Sequence, residues 1–283
     1  MKTTASRDGL FLMGHGTKSF LGQQQFLEII YHAQHHFRLP VSGGFIELAE
    51  PNMDSAIKTF IEAEGLDRLI IVPMVLFPAG HMKDDGPHLA HLAQRYGGEN
   101  LKVIYASHLG LLPEIITVVG ERIVESLSTD PNPADPSAIL LVGRGSTDPD
   151  GNAEMYKAMR LLAEQSYSDF SAIQPAFVSL TSPSVDQGLD ILYRLGYSKI
   201  LVQPFFLFHG ILIDRMFLQA QSWASSFNSA PIILTSKEIG PHKLLLDAIE
   251  FRLLDALGDV VRTSCDLCIY RTRGLGQFEP KDN

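Results

Sequence analysis

Short apolar runs rich in β-branched and aromatic residues alternate along this chain with longer stretches of helical periodicity, the pattern of repeated βα units around a parallel sheet. In the first half the apolar runs predict strands at Leu10–Met13, Val41–Glu47, Leu69–Leu76 and Leu101–Ala106. The periodic stretches between and after them predict helices at Gln23–Phe37, Asn52–Glu64, His88–Tyr96 and Pro113–Leu127. Pro87 and Pro113 suit the first turn of the last two. The second half runs in the same order, with strands at Ile139–Val142, Ile173–Val178, Ile200–Phe206 and Ile232–Thr235 and helices at Ala153–Gln165, Val185–Leu195, Arg215–Trp223 and His242–Leu257.

The connecting segments repeat as well. Gly14-His15-Gly16-Thr17 aligns with Gly143-Arg144-Gly145-Ser146 at a shift of 129 residues (14 to 143), and Pro51 with Pro183 at 132 (51 to 183). Pro73-Met74-Val75-Leu76-Phe77 aligns with Pro204-Phe205-Phe206-Leu207-Phe208 at 131 (73 to 204). Three nearly equal shifts indicate a duplicated unit. The polar, proline-rich stretch from Ser128 to Pro136 reads as the linker between the copies. The expected fold is therefore α/β, with two tandem doubly wound four-stranded parallel-sheet lobes at residues 1–129 and 137–258 and a tail at 259–283. The lobes are expected to face each other across a cleft lined by loops at the carboxyl ends of the strands, the usual ligand position in such sheets.

Composition narrows the function. The chain has 283 residues and a formal net charge of -9, the wrong sign for nucleic acid or an anionic membrane surface as partner. Apolar stretches such as Leu69–Ala79 are shorter than the roughly 20 residues a bilayer requires, and Met1–Asp8 lacks an apolar signal core, so a cytoplasmic protein is expected. The two cysteines, Cys265 and Cys268, form a Cys-x-x-Cys pair in the tail and supply at most half of a tetrahedral metal or cluster site. No Gly-x-Gly-x-x-Gly follows the first strand, which argues against a dinucleotide enzyme.

Eight of the ten histidines precede residue 130, so imidazole chemistry is expected in the first half. His15 sits in the Gly14-His15-Gly16 turn directly after the first strand. His81 follows Gly80 after the third. Doubly wound topology places those strands side by side, and two imidazoles on adjacent strand ends suit a divalent transition metal or a proton relay. A histidine in such a loop also serves as ordinary hydrogen-bonded structure. Glu47 closes the second strand, either as a proton acceptor or ligand orienter at the same rim or as a charge favoured by the start of the next helix. His32 with His36, and His88 with His91, have one-face helical spacing and lack a third ligand in the sequence. In the second copy Arg144 replaces His15. Arg144 and Arg215 suit ligand carboxylates, or equally salt bridges to Asp148 or Asp214.

Taken together, Gly14-His15-Gly16, Phe45-Ile46-Glu47 through Pro51, Pro73 through His81, and Gly143-Arg144-Gly145-Ser146-Thr147-Asp148-Pro149-Asp150 resemble the class II sirohydrochlorin chelatases, in particular the long two-repeat CbiX form. The resemblance covers nearly the whole chain. It implies insertion of Co²⁺ or Fe²⁺ into sirohydrochlorin on the route to cobalamin or sirohaem, with His15 and His81 matching the two histidines that carry the chemistry; from the residues themselves, His15 and His81 are expected to bind the metal and take the pyrrole protons, with Glu47 assisting. Lys18, Lys83, Arg144 and Arg215 are the expected donors to the substrate's carboxylates. Long family members carry a Met-x-Cys-x-x-Cys motif linked to an iron–sulfur cluster; this chain keeps Cys265 and Cys268 but has Thr263 at the methionine position. A monomer or homodimer is expected. The alternatives are a non-catalytic tetrapyrrole or metal-delivery protein and a protoporphyrin ferrochelatase.

Overall fold

The computed structural model describes residues 7–77, 85–128, 137–165, 170–228 and 231–258. Among these the first repeat contains β1 (Asp8–Gly14), α1 (Phe20–His36), β2 (Val41–Phe45), α2 (Met53–Glu64), β3 (Arg68–Pro73), α3 (Asp85–Gly97), β4 (Lys102–Tyr105) and α4 (Pro113–Ser128). The second contains β5 (Ser137–Gly143), α5 (Pro149–Glu164), β6 (Phe170–Phe177), α6 (Val185–Arg194), β7 (Lys199–Pro204), α7 (Ile211–Ala224), β8 (Ile232–Thr235) and α8 (Leu244–Leu257). The strands form two four-stranded sheets of order β2-β1-β3-β4 and β6-β5-β7-β8, every pairing parallel. This is the expected doubly wound arrangement, with β1 and β3 adjacent.

Helices on both faces explain the unbroken apolar strands. Leu10, Phe11, Leu12 and Met13 of β1 are fully buried, as are Ile139, Leu140, Leu141 and Val142 of β5. At the amino ends, Asp8 pairs with Arg68 in register between β1 and β3, and the guanidinium donates from Nε and Nη2 to the two carboxylate oxygens at 3.0 and 2.6 Å. That bidentate fork pins the edge opposite the functional loops.

Packing divides the chain differently from its repeats. Among the described residues, one compact unit runs to Gly110 and takes in α8 from Leu245; the other runs from Leu111 to Leu244. Helix α4 therefore belongs with the second sheet, where it packs on β7, β8 and α5. Its Arg122 donates to the carbonyls of Glu238 and Pro241, and Ser236 donates to the Arg122 carbonyl. Helix α8 belongs with the first sheet, and Arg252 donates to the Leu109 carbonyl. The proline-rich stretch at 128–136 records where one copy ends in sequence. Which sheet covers the apolar face of α4, with Ile115, Ile116, Val119 and Ile123 buried, is a tertiary outcome that local composition does not encode.

Two glycines hold the loops at the carboxyl ends. Backbone pairing continues past β1 and β2, from Ile46 N to Gly14 O (2.8 Å) and Glu47 N to His15 O (3.2 Å). The second unit repeats it, from Val178 N to Gly143 O (3.0 Å) and Ser179 N to Arg144 O (3.1 Å). Within these loops Gly16 has φ +98° and Gly145 φ +85°. A Cβ on Gly16 would stand 1.7 Å from the Glu47 carbonyl oxygen, and one on Gly145 1.9 Å from that of Ser179. Only glycine meets both demands, the left-handed backbone and the close approach. Gly98, with φ +67° and open space around it, has the first demand alone. Gly16→Ala and Gly145→Ala should each destabilise the protein by more than about 2 kcal/mol, against about 1 kcal/mol for Gly98→Ala. Denaturant unfolding of the three variants checks this, and equal costs would show that the loops give way freely.

Candidate active site at the strand ends

In the first unit, the loop after β1 presents His15. Its Nδ1 lies 3.2 Å from the Gly16 carbonyl oxygen and 3.9 Å from Oε1 of Glu47. A carbonyl only accepts, so in that contact Nδ1 carries the proton and Nε2 of the neutral ring holds the lone pair. Nε2 is covered from bulk water, while the side chain keeps 31% of its surface exposed and Glu47 46%. The turn that follows is tied into α1. Ser19 accepts from Gly22 N as the helix cap, Ser19 N donates to Thr17 Oγ1, and Gln23 donates to the Thr17 carbonyl. Lys18 is exposed in this turn. The structure thus brings together His15, Glu47 and the Lys18 turn, a base or metal donor beside a carboxylate with a cation close by in sequence.

The second unit builds the same tip with other side chains. Arg144 stands exposed where the first unit has His15, and Ser179, where the first has Glu47, donates its hydroxyl to the Arg144 carbonyl at 3.1 Å. Neither Arg144 nor Arg215 forms an ion pair among the described residues. Asp214 is instead 3.4 Å from Nε2 of His209. Arg215 lies near the start of α7, along a groove of about 690 Å³ bordered by Asp186, Ile211, Leu218 and Trp223.

His81 and Lys83, in the segment after β3, lie outside the described residues, as do Cys265 and Cys268. His32 lies 3.7 Å from Glu28 and His36 3.8 Å from Glu250, while His88 and His91 belong to no group of three metal donors among the described residues.

Three features were not anticipated. Leu48 (φ 65°) and Leu180 (φ 68°) follow Glu47 and Ser179 at equivalent points of the two repeats, each in a left-handed conformation and each exposed, by 51% and 61%. Non-glycine residues seldom adopt this region, so the two copies share an unusual backbone feature as well as sequence. The signal was present in the parallel between Glu47-Leu48-Ala49-Glu50-Pro51 and Ser179-Leu180-Thr181-Ser182-Pro183. The third is His108, just beyond β4, only 8% exposed, in a loop whose Leu109 N bonds to the Val75 carbonyl. Burial, and secondarily the positive charge of Arg252, push its pKa down to about 4.

The fold and the loops define a duplicated, doubly wound α/β protein with a histidine–carboxylate group at the strand ends of one copy and an arginine at those of the other. The description of the CbiX family matches residues 9–126 and again 138–256, and the chain belongs to that family. It is 29% identical over 277 residues to a sirohydrochlorin cobaltochelatase of Priestia megaterium, covering 97% of this chain and 87% of the relative. A sirohydrochlorin ferrochelatase of the same organism is also 29% identical, over 74% of this chain and 76% of its own length. The solved structure of SirB from Bacillus subtilis with Fe³⁺ shares the fold, with a TM-score of 0.73 at 24% identity, covering 88% of this chain and 95% of that one.

The depressed His108 pKa links stability to pH. Unfolded, this imidazole titrates near 6.5; folded, it stays neutral down to about 4. The unfolded chain therefore binds the extra proton across that window, and the contribution, complete above the upper value, is lost as pH falls through it. Between pH 7.5 and 5.0 the parent should lose about 2 kcal/mol more than His108→Gln. Urea unfolding at the two pH values measures it, and equal losses would place His108 in a hydrated setting.

Proposed function

We propose that this protein is a sirohydrochlorin chelatase that inserts Co²⁺ or Fe²⁺ into the tetrapyrrole, with the reaction handled at the His15 strand end. The observation that carries the reading is His15 fixed beside Glu47 by the backbone bond between them, in a chain whose long relatives are named for this activity.

Metallation removes two pyrrole protons while the ion exchanges its waters for four ring nitrogens. The site therefore needs a base and a ligand that releases the metal. Imidazole serves as both, being a borderline donor suited to Co²⁺ and Fe²⁺ and a base matched to neutral pH. His15 supplies the lone-pair nitrogen, and the Gly16 carbonyl accepting from Nδ1 keeps that tautomer. Glu47 offsets positive charge as the ring takes a proton or metal. The second imidazole is His81, which follows β3, the neighbour of β1. The substrate's carboxylates go to Lys18, Lys83 and Arg144, cationic groups that answer locally the repulsion from a net charge of -9. Leu48 offers apolar surface to the macrocycle.

Purified protein given sirohydrochlorin and either Co²⁺ or Fe²⁺ under anaerobic conditions should convert the free-base absorption spectrum to that of the metallated ring. His15→Ala and His81→Ala should each slow the conversion by about tenfold to a thousandfold. Parent-like rates in both would exclude the site, and binding of the tetrapyrrole without faster metallation would identify a carrier. Arg144→Ala should raise KM for the tetrapyrrole several-fold and leave kcat near the parent value; an unchanged KM would remove Arg144 from the binding surface.

A further inference from the structure

Far along α1 from the His15 turn, three donors converge that the reaction does not use. His36 lies in the last turn of α1, and Asp247 and Glu250 lie one turn apart on α8, which packs in the same unit. One ligating atom from each can be chosen so that all three lie within 4.8 Å of one another, with Nε2 of His36 3.8 Å from Oε2 of Glu250. All three residues are exposed.

We propose that His36, Asp247 and Glu250 form a surface site for a divalent transition metal, separate from the strand-end histidine. Three considerations support it. One imidazole with two carboxylates is a donor set suited to Co²⁺, Fe²⁺ or Zn²⁺, and less to the all-oxygen preferences of Mg²⁺ or Ca²⁺. Bond lengths of about 2.0–2.2 Å put ligand atoms about 3 Å apart, so closure asks these exposed side chains to move by only about 1 Å. Asp247 and Glu250, at i and i+3, repel each other on one helix face, and Asp247 has no ion pair among the described residues, so a bound cation relieves a standing repulsion.

A 17-residue helix is about 25 Å long, which separates this cluster from the loop that precedes α1. The two are therefore distinct sites. The metal's use rests on the chelatase reading, in which the ion held here is the same class of ion that is inserted; the binding itself does not.

Equilibrium dialysis of the full-length protein against Co²⁺ decides it. His36→Ala and Glu250→Gln should each bind about one equivalent fewer than the parent at a Co²⁺ concentration that just saturates the parent, a loss of at least a hundredfold in affinity at that site. The same number bound in the parent and both variants would overturn the proposal. His15→Ala separates the two readings: it should keep the equivalent that His36→Ala loses. If His36→Ala loses an equivalent while His15→Ala binds and inserts metal like the parent, the surface site stands and the active-site assignment falls.

Discussion

The approach of the Glu47 carbonyl to Gly16, where no Cβ fits, is the constraint on which the active-site geometry depends. It lets the β1–β2 pairing run beyond the strands, so that His15 and Glu47 are joined through their backbones before their side chains meet. A histidine on a loose loop would share its rotamers among many positions and lose entropy on ordering. Here the preceding strand is buried, the following helix is capped by Ser19, and the intervening turn leaves His15 few alternatives.

The same scaffold appears twice with different chemistry. Gly145 meets the Ser179 carbonyl as Gly16 meets that of Glu47, and Leu180 repeats the left-handed backbone of Leu48. Upon it the second copy has an arginine and a hydroxyl in place of an imidazole and a carboxylate. What the duplication preserved is backbone geometry; what diverged is the group presented. A guanidinium cannot accept a proton or bind a metal, so the second tip is suited to anions and the first to metal and proton chemistry.

Much of this was legible in the sequence because the strands are buried on both faces and therefore read as unbroken apolar runs. Their order, the adjacency of β1 and β3, and the placing of His15 and Glu47 at strand ends followed from periodicity and topology. The assignment of α4 to the second sheet and α8 to the first was not legible, since an amphipathic helix shows that it has a face to bury and not which sheet receives it. Nor was the pairing of His36 with α8. Helical spacing put His36 with His32, whereas tertiary packing set it beside Glu250 and left His32 to Glu28.

The central claim is that the imidazole of His15 performs the metal and proton exchange, rather than merely shaping the turn. Removing the ring as His15→Gly and supplying free imidazole in solution tests this directly, with metal insertion into sirohydrochlorin followed optically. The account predicts a variant slowed at least tenfold that regains a substantial part of its rate as imidazole is added, in proportion to the imidazole present. A variant that inserts metal at the parent rate without any imidazole would contradict it.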